Sequence, residues 1–231
     1  MVSQTKNVPL KNSIDMARAV AAPLAYKEAF IRAAMSGKGG YQFYKGFRAT
    51  VPVTLNIVMG MLLTVPNFTK AEAKALAERC CINAHDELAN NLALVDGLYD
   101  YAVAHNVTGA EFSIEPASLG RAGLRSLWEP FILKIDGRKY IPFIDPRLPQ
   151  RGLISESRRL VFSVQNSHFR LSDQRLWGDT GSVILQFDYP KDGTRKVIAH
   201  FNDGADCWND KQIAKMIDDT YRLLDEIREA A

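Results

Sequence analysis

The sequence predicts an α+β protein, with a helical N-terminal layer packed on a mixed or antiparallel sheet and an amphipathic helix at the C-terminus. Three observations carry this. Apolar residues recur every three or four positions through the N-terminal part of the chain. After Gly109 the pattern shortens to alternation, with Gly-containing turns between runs rich in β-branched and aromatic residues. A helical stripe returns near the C-terminus. The 231 residues are 47% hydrophobic and 24% charged, the make-up of an ordinary globular protein. They are read as one compact unit, helical over 1–106 and strand-rich over 107–231.

Ser13 is the expected cap of the first helix. Its apolar face is read as Ile14, Ala17, Ala21, Leu24, Phe30 and Ile31, kinked or split at Pro23. Gly37, Gly39 and Gly40 end it. The apolar run 51–65 is predicted to be a buried helix. Thr69 with Glu72 three residues on forms a capping box, with Phe68 as a staple. From there a stripe runs Leu76, Cys80, Ala84, Leu88, Leu92, Val95, Tyr99 and Ala102, with Gly97 as the place where it would divide.

Residues 111–115 alternate as a strand. Residues 131–135 and 138–144 flank Asp136-Gly137, the signature of a type I′ hairpin, because both turn positions need positive φ. Residues 183–189 and 195–201 flank a second turn, Lys191-Asp192-Gly193. Between the hairpins, 155–171 reads as a helix capped by Ser155, with a strand as the alternative. Asn209 or Asp210 caps the last helix. Ile213, Met216, Ile217, Tyr221, Leu224 and Ile227 lie on one face of it, and Asp218, Asp219, Asp225, Glu226 and Arg228 on the other.

Several function classes find no support. A formal net charge of +3 is too small by itself to argue for nucleic acid or an anionic membrane. Cys80, Cys81 and Cys207 are odd in number and lack CxxC spacing, so they argue against a disulfide framework or a zinc site. They are read as small buried hydrophobes in a reducing compartment. Residues 1–10 are polar and unlike a secretory signal. The run 51–65 falls short of the roughly 20 apolar residues needed to span a bilayer. A cytoplasmic location without membrane contact is expected. Residues 36–40 place a lysine among glycines after a helix, without phosphate-loop spacing. His85-Asp86 is an incomplete metal dyad, and no serine sits in a GxSxG elbow.

Residues 121–175 are basic. Arg121, Arg125, Arg151, Arg158 and Arg159 are the candidate phosphate contacts, and Trp128, Tyr140, Phe143, Phe162 and Phe169 are interleaved among the cations. Guanidinium groups neutralise phosphates and aromatic rings can stack bases. The competing reading is that the cations lie on several faces and the aromatics are core. Within this region Trp128-Glu129-Pro130 opens the first strand of the hairpin, and Phe143-Ile144-Asp145-Pro146-Arg147 closes the second.

Acids at the open end of a hairpin, in the order helix, three strands, helix, strand, resemble the PD-(D/E)XK, or restriction-endonuclease-like, nuclease superfamily over roughly 88–189. The resemblance implies two carboxylates holding Mg²⁺, which polarises the phosphate and activates a water. Glu129 would match the first acid, Asp145 the second and Arg147 the lysine of the motif. Gln165 or Arg159 would supply a polar residue from the following helix.

Register bears on this. In a two-residue hairpin Ile135 faces Arg138, so Glu129 and Asp145 point to opposite sides of the sheet unless a bulge at Pro130 or Pro142 intervenes. Otherwise Glu115, expected on the neighbouring strand, is the companion of Asp145. A strand-terminating turn with a local Asp145–Arg147 ion pair is the non-catalytic reading. The expectation is a nucleic-acid-associated protein, a metal-dependent phosphodiesterase acting on DNA or RNA. The alternative is a non-catalytic nucleic-acid- or protein-binding module. A protein partner held by the C-terminal helix, through Ile217 and Leu224, is a further reading.

Overall fold

A computed structural model describes residue 10 and residues 12–36, 42–58, 68–81, 85–171, 173–190 and 193–230. The fold is α+β, built among the described residues on a mixed six-stranded sheet whose strands lie in the order β1 (Ile57–Val58), β2 (Thr108–Glu111), β5 (Phe131–Ile135), β6 (Arg138–Asp145), β7 (Gly181–Phe187), β8 (Val197–Asn202).

The first helix, α1 (Ser13–Ala21), is capped by Asn12, whose side chain accepts from the Ile14 N–H at 2.8 Å. Ser13, the expected cap, is instead the first helical residue, and its hydroxyl donates to the Ser126 carbonyl. Pro23 splits the pattern as expected, and α2 (Leu24–Ser36) begins directly after it. The split re-phases the stripe. Leu24, predicted to be core, is 83% exposed, whereas Ile31 is buried. The glycines 37, 39 and 40 lie outside the described residues.

Helix α3 (Lys45–Thr54) takes in only the start of the apolar run. Asn56 adopts positive φ and ends the helix. Its amide donates to the Val107 carbonyl and its carbonyl accepts from the Gly109 N–H. The chain is thereby steered into β1 (Ile57–Val58), parallel to β2 (Thr108–Glu111). The predicted helix over 51–65 is therefore overturned at 57–58, and 59–65 lie outside the described residues.

The Thr69–Glu72 capping box opens α4 (Lys70–Cys80) as expected. The long stripe divides after Cys80, not at Gly97, which lies buried inside α5 (His85–Ala104). A Cβ there would stand 2.1 Å from the Arg195 carbonyl oxygen. Gly97 thus marks close approach of helix to chain rather than a helix end.

Strand β2 falls three residues earlier than 111–115, and Glu115 lies beyond it in exposed chain. A small ribbon, β3 (Ala117–Ser118) with β4 (Leu124–Arg125), precedes the predicted hairpin of β5 (Phe131–Ile135) and β6 (Arg138–Asp145). Asp136 and Gly137 both have positive φ, and Ile135 pairs with Arg138, so turn and register are as expected. Residues 155–165 form a helix, α6 (Ser155–Gln165), continued by a π-turn over Asn166–Arg170. Its start is held by Ser157 rather than Ser155. The Ser157 hydroxyl accepts from the Ile154 N–H and donates to the Ile154 carbonyl.

The short α7 (Gln174–Trp177) leads to β7 (Gly181–Phe187), parallel to β6, and β8 (Val197–Asn202) returns antiparallel. Helix α8 (Asp210–Glu229) is capped by Asn209, with Gln212 reaching back to the Asn209 N–H. Asn209→Ala is expected to cost about 1 kcal/mol, read as a fall of about 3 °C in Tm. An unchanged melting curve would show that the cap carries no weight.

Core side chains lie on both sides of the sheet. Ile141, Phe143 and Ile184 belong to the cluster that includes α1, α6 and α8. Tyr140, Ile144, Val183, Leu185 and Phe187 belong to the cluster that includes α3, α4 and α5. The helical N-terminal part therefore serves both faces. Among the described residues no helix is long and apolar enough to cross a membrane.

Candidate functional site

Asp145 is the last residue of β6 and pairs across the parallel ladder with Gln186 of β7. Strand alternation puts both on the face of Phe143 and Ile184, under α1 and α6. Asp145 is 0% exposed. Its carboxylate accepts from the Leu153 N–H at 2.6 Å, from Gln186 Nε2 at 3.0 Å and from the Arg147 N–H at 3.2 Å. Burial raises its pKa, and these donors with the Arg147 charge pull the other way.

Gln186 also donates to the Leu153 carbonyl and accepts from Arg158 Nη1 at 3.0 Å. Arg158 reaches the Leu153 carbonyl as well. Gly152 makes room for this network, since a Cβ there would stand 2.8 Å from Asp145 Oδ2. The side chain of Arg147 turns away from Asp145 and grips Asp15 of α1 with two bonds of 2.5 and 3.0 Å. Arg18, also on α1, holds the carbonyls of Gln150 and Arg151. The segment after β6 is thus stapled to α1.

Glu129 lies on the other face of the hairpin. Its carboxylate accepts from the Ile144 N–H at 3.2 Å and meets Arg48 of α3 at 3.5 Å. Burial pushes its pKa up, and Arg48 acts against that shift. The Glu129 N–H donates to the Pro142 carbonyl, two positions from the partner an ideal hairpin gives it, and a shift of two leaves it on the face away from Asp145. Glu115 is exposed and away from both. The three acids singled out from the sequence are not brought together, and the Asp145–Arg147 turn is tied by a backbone bond and not by a local side-chain pair. Gln165 donates to the Leu127 carbonyl, inside the core.

The basic stretch is spread in the same way. Arg121 pairs with Asp218 and Asp225 of α8. Arg125 reaches the Leu10 carbonyl. Arg159 binds the Asp206 carboxylate and carbonyl and lies over the Trp208 ring. Arg151 is exposed. The five interleaved aromatics, Trp128, Tyr140, Phe143, Phe162 and Phe169, are all buried. Trp128 stacks on His168 and meets Phe169 edge-on. Among the described residues no group of three or more His, Cys, Asp or Glu is placed to hold a metal ion. The three cysteines form no disulfide and are half-buried rather than buried. The His85 and Asp86 side chains lie outside the described residues.

A cavity of about 620 Å³ opens elsewhere, between the α1–α2 corner and α8. Its apolar lining is Val20, Ala21, Ala22, Leu24, Met216 and Leu223, with Lys27, Lys215, Asp219, Arg222 and Glu226 among them. Ile217 and Leu224, the α8 residues expected to face a partner, are 3% and 1% exposed and belong to the core. Met216 and Leu223, one position away, are half-buried and line the cavity. The sequence held one signal for this place: Leu24 and Tyr26 directly follow a helix-breaking proline.

Residues 14–230 match the family model described as "Sliding clamp-binding bacterial toxin SocB". The chain belongs to the SocB family. No curated protein and no solved structure matches it. The resemblance to PD-(D/E)XK nucleases is thereby corrected. The family that covers nearly the whole chain is another one, and the alternation of the hairpin separates the acids on which the resemblance rested. The Mg²⁺ expectation rested on that resemblance too.

Proposed function

We propose that this chain is a toxin that acts by binding a bacterial sliding clamp, a protein partner in place of the nucleic acid expected from its basic stretch. The observation that carries this reading is the extent of the family match, which runs from α1 to the end of α8. Three features support it. The polar networks around Asp145 and Glu129 are engaged in joining strands to helices. Arg121, Arg125, Arg158 and Arg159 are held by groups of this same chain, so a phosphate backbone would have to compete for them. Helix α8 offers a half-buried apolar edge, Met216 and Leu223, for a protein contact. This reading carries with it a cytoplasmic site of action.

The test is direct association of the purified chain with a purified sliding clamp, by size exclusion and by titration. A complex with a Kd in the micromolar range or below, about −8 kcal/mol, is expected without DNA present. Expression in the bacterium that supplies the clamp should halt growth. Absence of a complex at protein concentrations of about 100 μM would remove the proposal.

A further inference from the structure

Strand β8 ends the sheet, and its outer edge is unpaired among the described residues. The opposite edge is β1, only two residues long, and a very short edge strand is one common way to prevent pairing with another chain. Strand β8 has no such protection. Val197-Ile198-Ala199-His200-Phe201-Asn202 include no proline, no lysine and no acid, and the pairing with β7 runs without a bulge. Ile198 is 42% exposed and Phe201 51%. The two point to opposite faces, because successive side chains alternate along a strand. What they share is the free edge, not a face.

The ladder fixes which backbone groups line that edge. Just beyond the strand, the Asp188 N–H donates to the Lys196 carbonyl, so the bonds inward to β7 fall on Ile198, His200 and Asn202. The N–H and C=O groups of Val197, Ala199 and Phe201 point outward. Val197 and Ala199 pack against the cluster that includes α5, and the Phe201 ring lies 5.0 Å from that of Tyr140 on the same face. Charge is divided along the strand. Arg195 and Lys196 precede it, and Asp203 follows it.

We infer that β8 is the seam of a homodimer, in which a second copy of this chain pairs its own β8 antiparallel to the first and the two sheets run on as one. A two-fold axis normal to the sheet keeps faces in common, so odd positions meet odd and even meet even. Centred on Ala199, it sets Ala199 against Ala199 of the second copy, and Val197 against Phe201 of the second copy. Every outward N–H and C=O of Val197, Ala199 and Phe201 then has a partner. Ile198 meets His200 of the second copy on the other face. The basic end, Arg195 and Lys196, comes beside Asp203 of the second copy, whereas a parallel pairing would set like charge beside like. An axis through His200 would instead set the apolar Val197 against Asp203. This self-complementarity selects a second copy over an unrelated extended segment. The seam forms without a clamp.

The experiment measures the mass of the full chain by sedimentation over about 1–100 μM, for wild type, Ile198→Lys, Ala199→Pro and Ala199→Cys. Ala199→Pro removes an N–H that faces away from β7, a place where an edge strand accepts proline. Circular dichroism and thermal melts check each fold, and Ile198→Lys, at an exposed position, carries the test if Ala199→Pro folds poorly. Wild type is expected at twice the 25.8 kDa chain mass. Ile198→Lys and Ala199→Pro should each raise the dimer Kd at least about tenfold. Opposed residues of a hydrogen-bonded pair stand about 5.5 Å apart at Cα, within disulfide range. Mild oxidation should therefore link Ala199→Cys into a covalent dimer, while wild type, with Cys80, Cys81 and Cys207, stays unlinked. A wild-type chain that remains a monomer at about 100 μM would overturn the homodimer. A dimer as tight in folded Ile198→Lys as in wild type would overturn β8 as its seam. A dimer that Ala199→Cys does not link would overturn the register centred on Ala199.

Discussion

Asp145→Ala is expected to lower the unfolding free energy by about 3 kcal/mol, although the residue was first singled out as a candidate metal ligand. The carboxylate is fully buried and takes three hydrogen bonds, two of them from the backbone N–H groups of Leu153 and Arg147. Truncation leaves those donors in the interior without an acceptor, and each buried unsatisfied donor costs roughly 1–3 kcal/mol. Burial of the charge works against the wild-type residue, as the upward shift of its pKa shows. Removing the acid relieves that desolvation but not the need of the donors, so the net effect is a loss. Gln186 loses less, since its amide still reaches the Leu153 carbonyl. Asp145→Asn retains an acceptor but turns an N–H₂ toward one of the donors, and an intermediate loss of about 1 kcal/mol should follow. Urea unfolding measures this as a fall in the midpoint at constant slope. A purely catalytic acid predicts the opposite, loss of activity with stability intact. An Asp145→Ala midpoint equal to wild type would show that the network does not hold the segment after β6.

Gly97→Ala should destabilise by about 2–3 kcal/mol, against the intrinsic preference of a helix for alanine. That preference favours alanine by about 1 kcal/mol in a helix interior. The clash is larger because its partner is backbone. A Cβ at Gly97 would stand 2.1 Å from the Arg195 carbonyl oxygen and 2.9 Å from its carbon. Neither can rotate away. Arg195 itself is 3% exposed and donates to Asn90 of α5 at 2.6 Å, so moving α5 outward also disturbs a buried guanidinium. Gly109 is the closest parallel, where a Cβ would meet the Ile132 carbonyl at 2.7 Å in the β2–β5 pair. Thermal unfolding of Gly97→Ala is the measurement, and a variant as stable as wild type would mean that helix and chain separate there without cost.

These two residues also show where reading the sequence stops. Gly97 looked like a helix break, because a glycine in a helical stripe carries the same local signal whether the helix ends or a neighbour presses on it. Asp145 looked like a site, because an acid at a strand end carries the same local signal whether it faces solvent or two backbone donors. The register of the hairpin was legible in part. Asp136-Gly137 fixes the register next to the turn, where Ile135 pairs with Arg138, but a bulge at either proline stayed open and the Glu129 N–H in fact bonds the Pro142 carbonyl, so only the structure decides the side of Glu129. The structure keeps the two acids apart, Glu129 against Arg48 of α3 and Asp145 against Leu153 and Gln186. Leu24 and the 51–65 run were misread for a common reason. Periodicity extrapolated across Pro23 or Asn56 ignores the change of direction that those residues impose.

What the sequence by itself determined is what lies within a few residues: the Thr69–Glu72 capping box, the Asp136–Gly137 turn and the α+β class. Those depend on backbone dihedrals and on hydrogen bonds spanning three or four positions. What only the tertiary structure decided is the order of the strands, the face each helix covers and the partners of the charged side chains. Arg147 meets Asp15 across 132 positions and Lys27 meets Thr220 across 193. No local pattern encodes such contacts, because they are fixed by the packing of both core clusters at once.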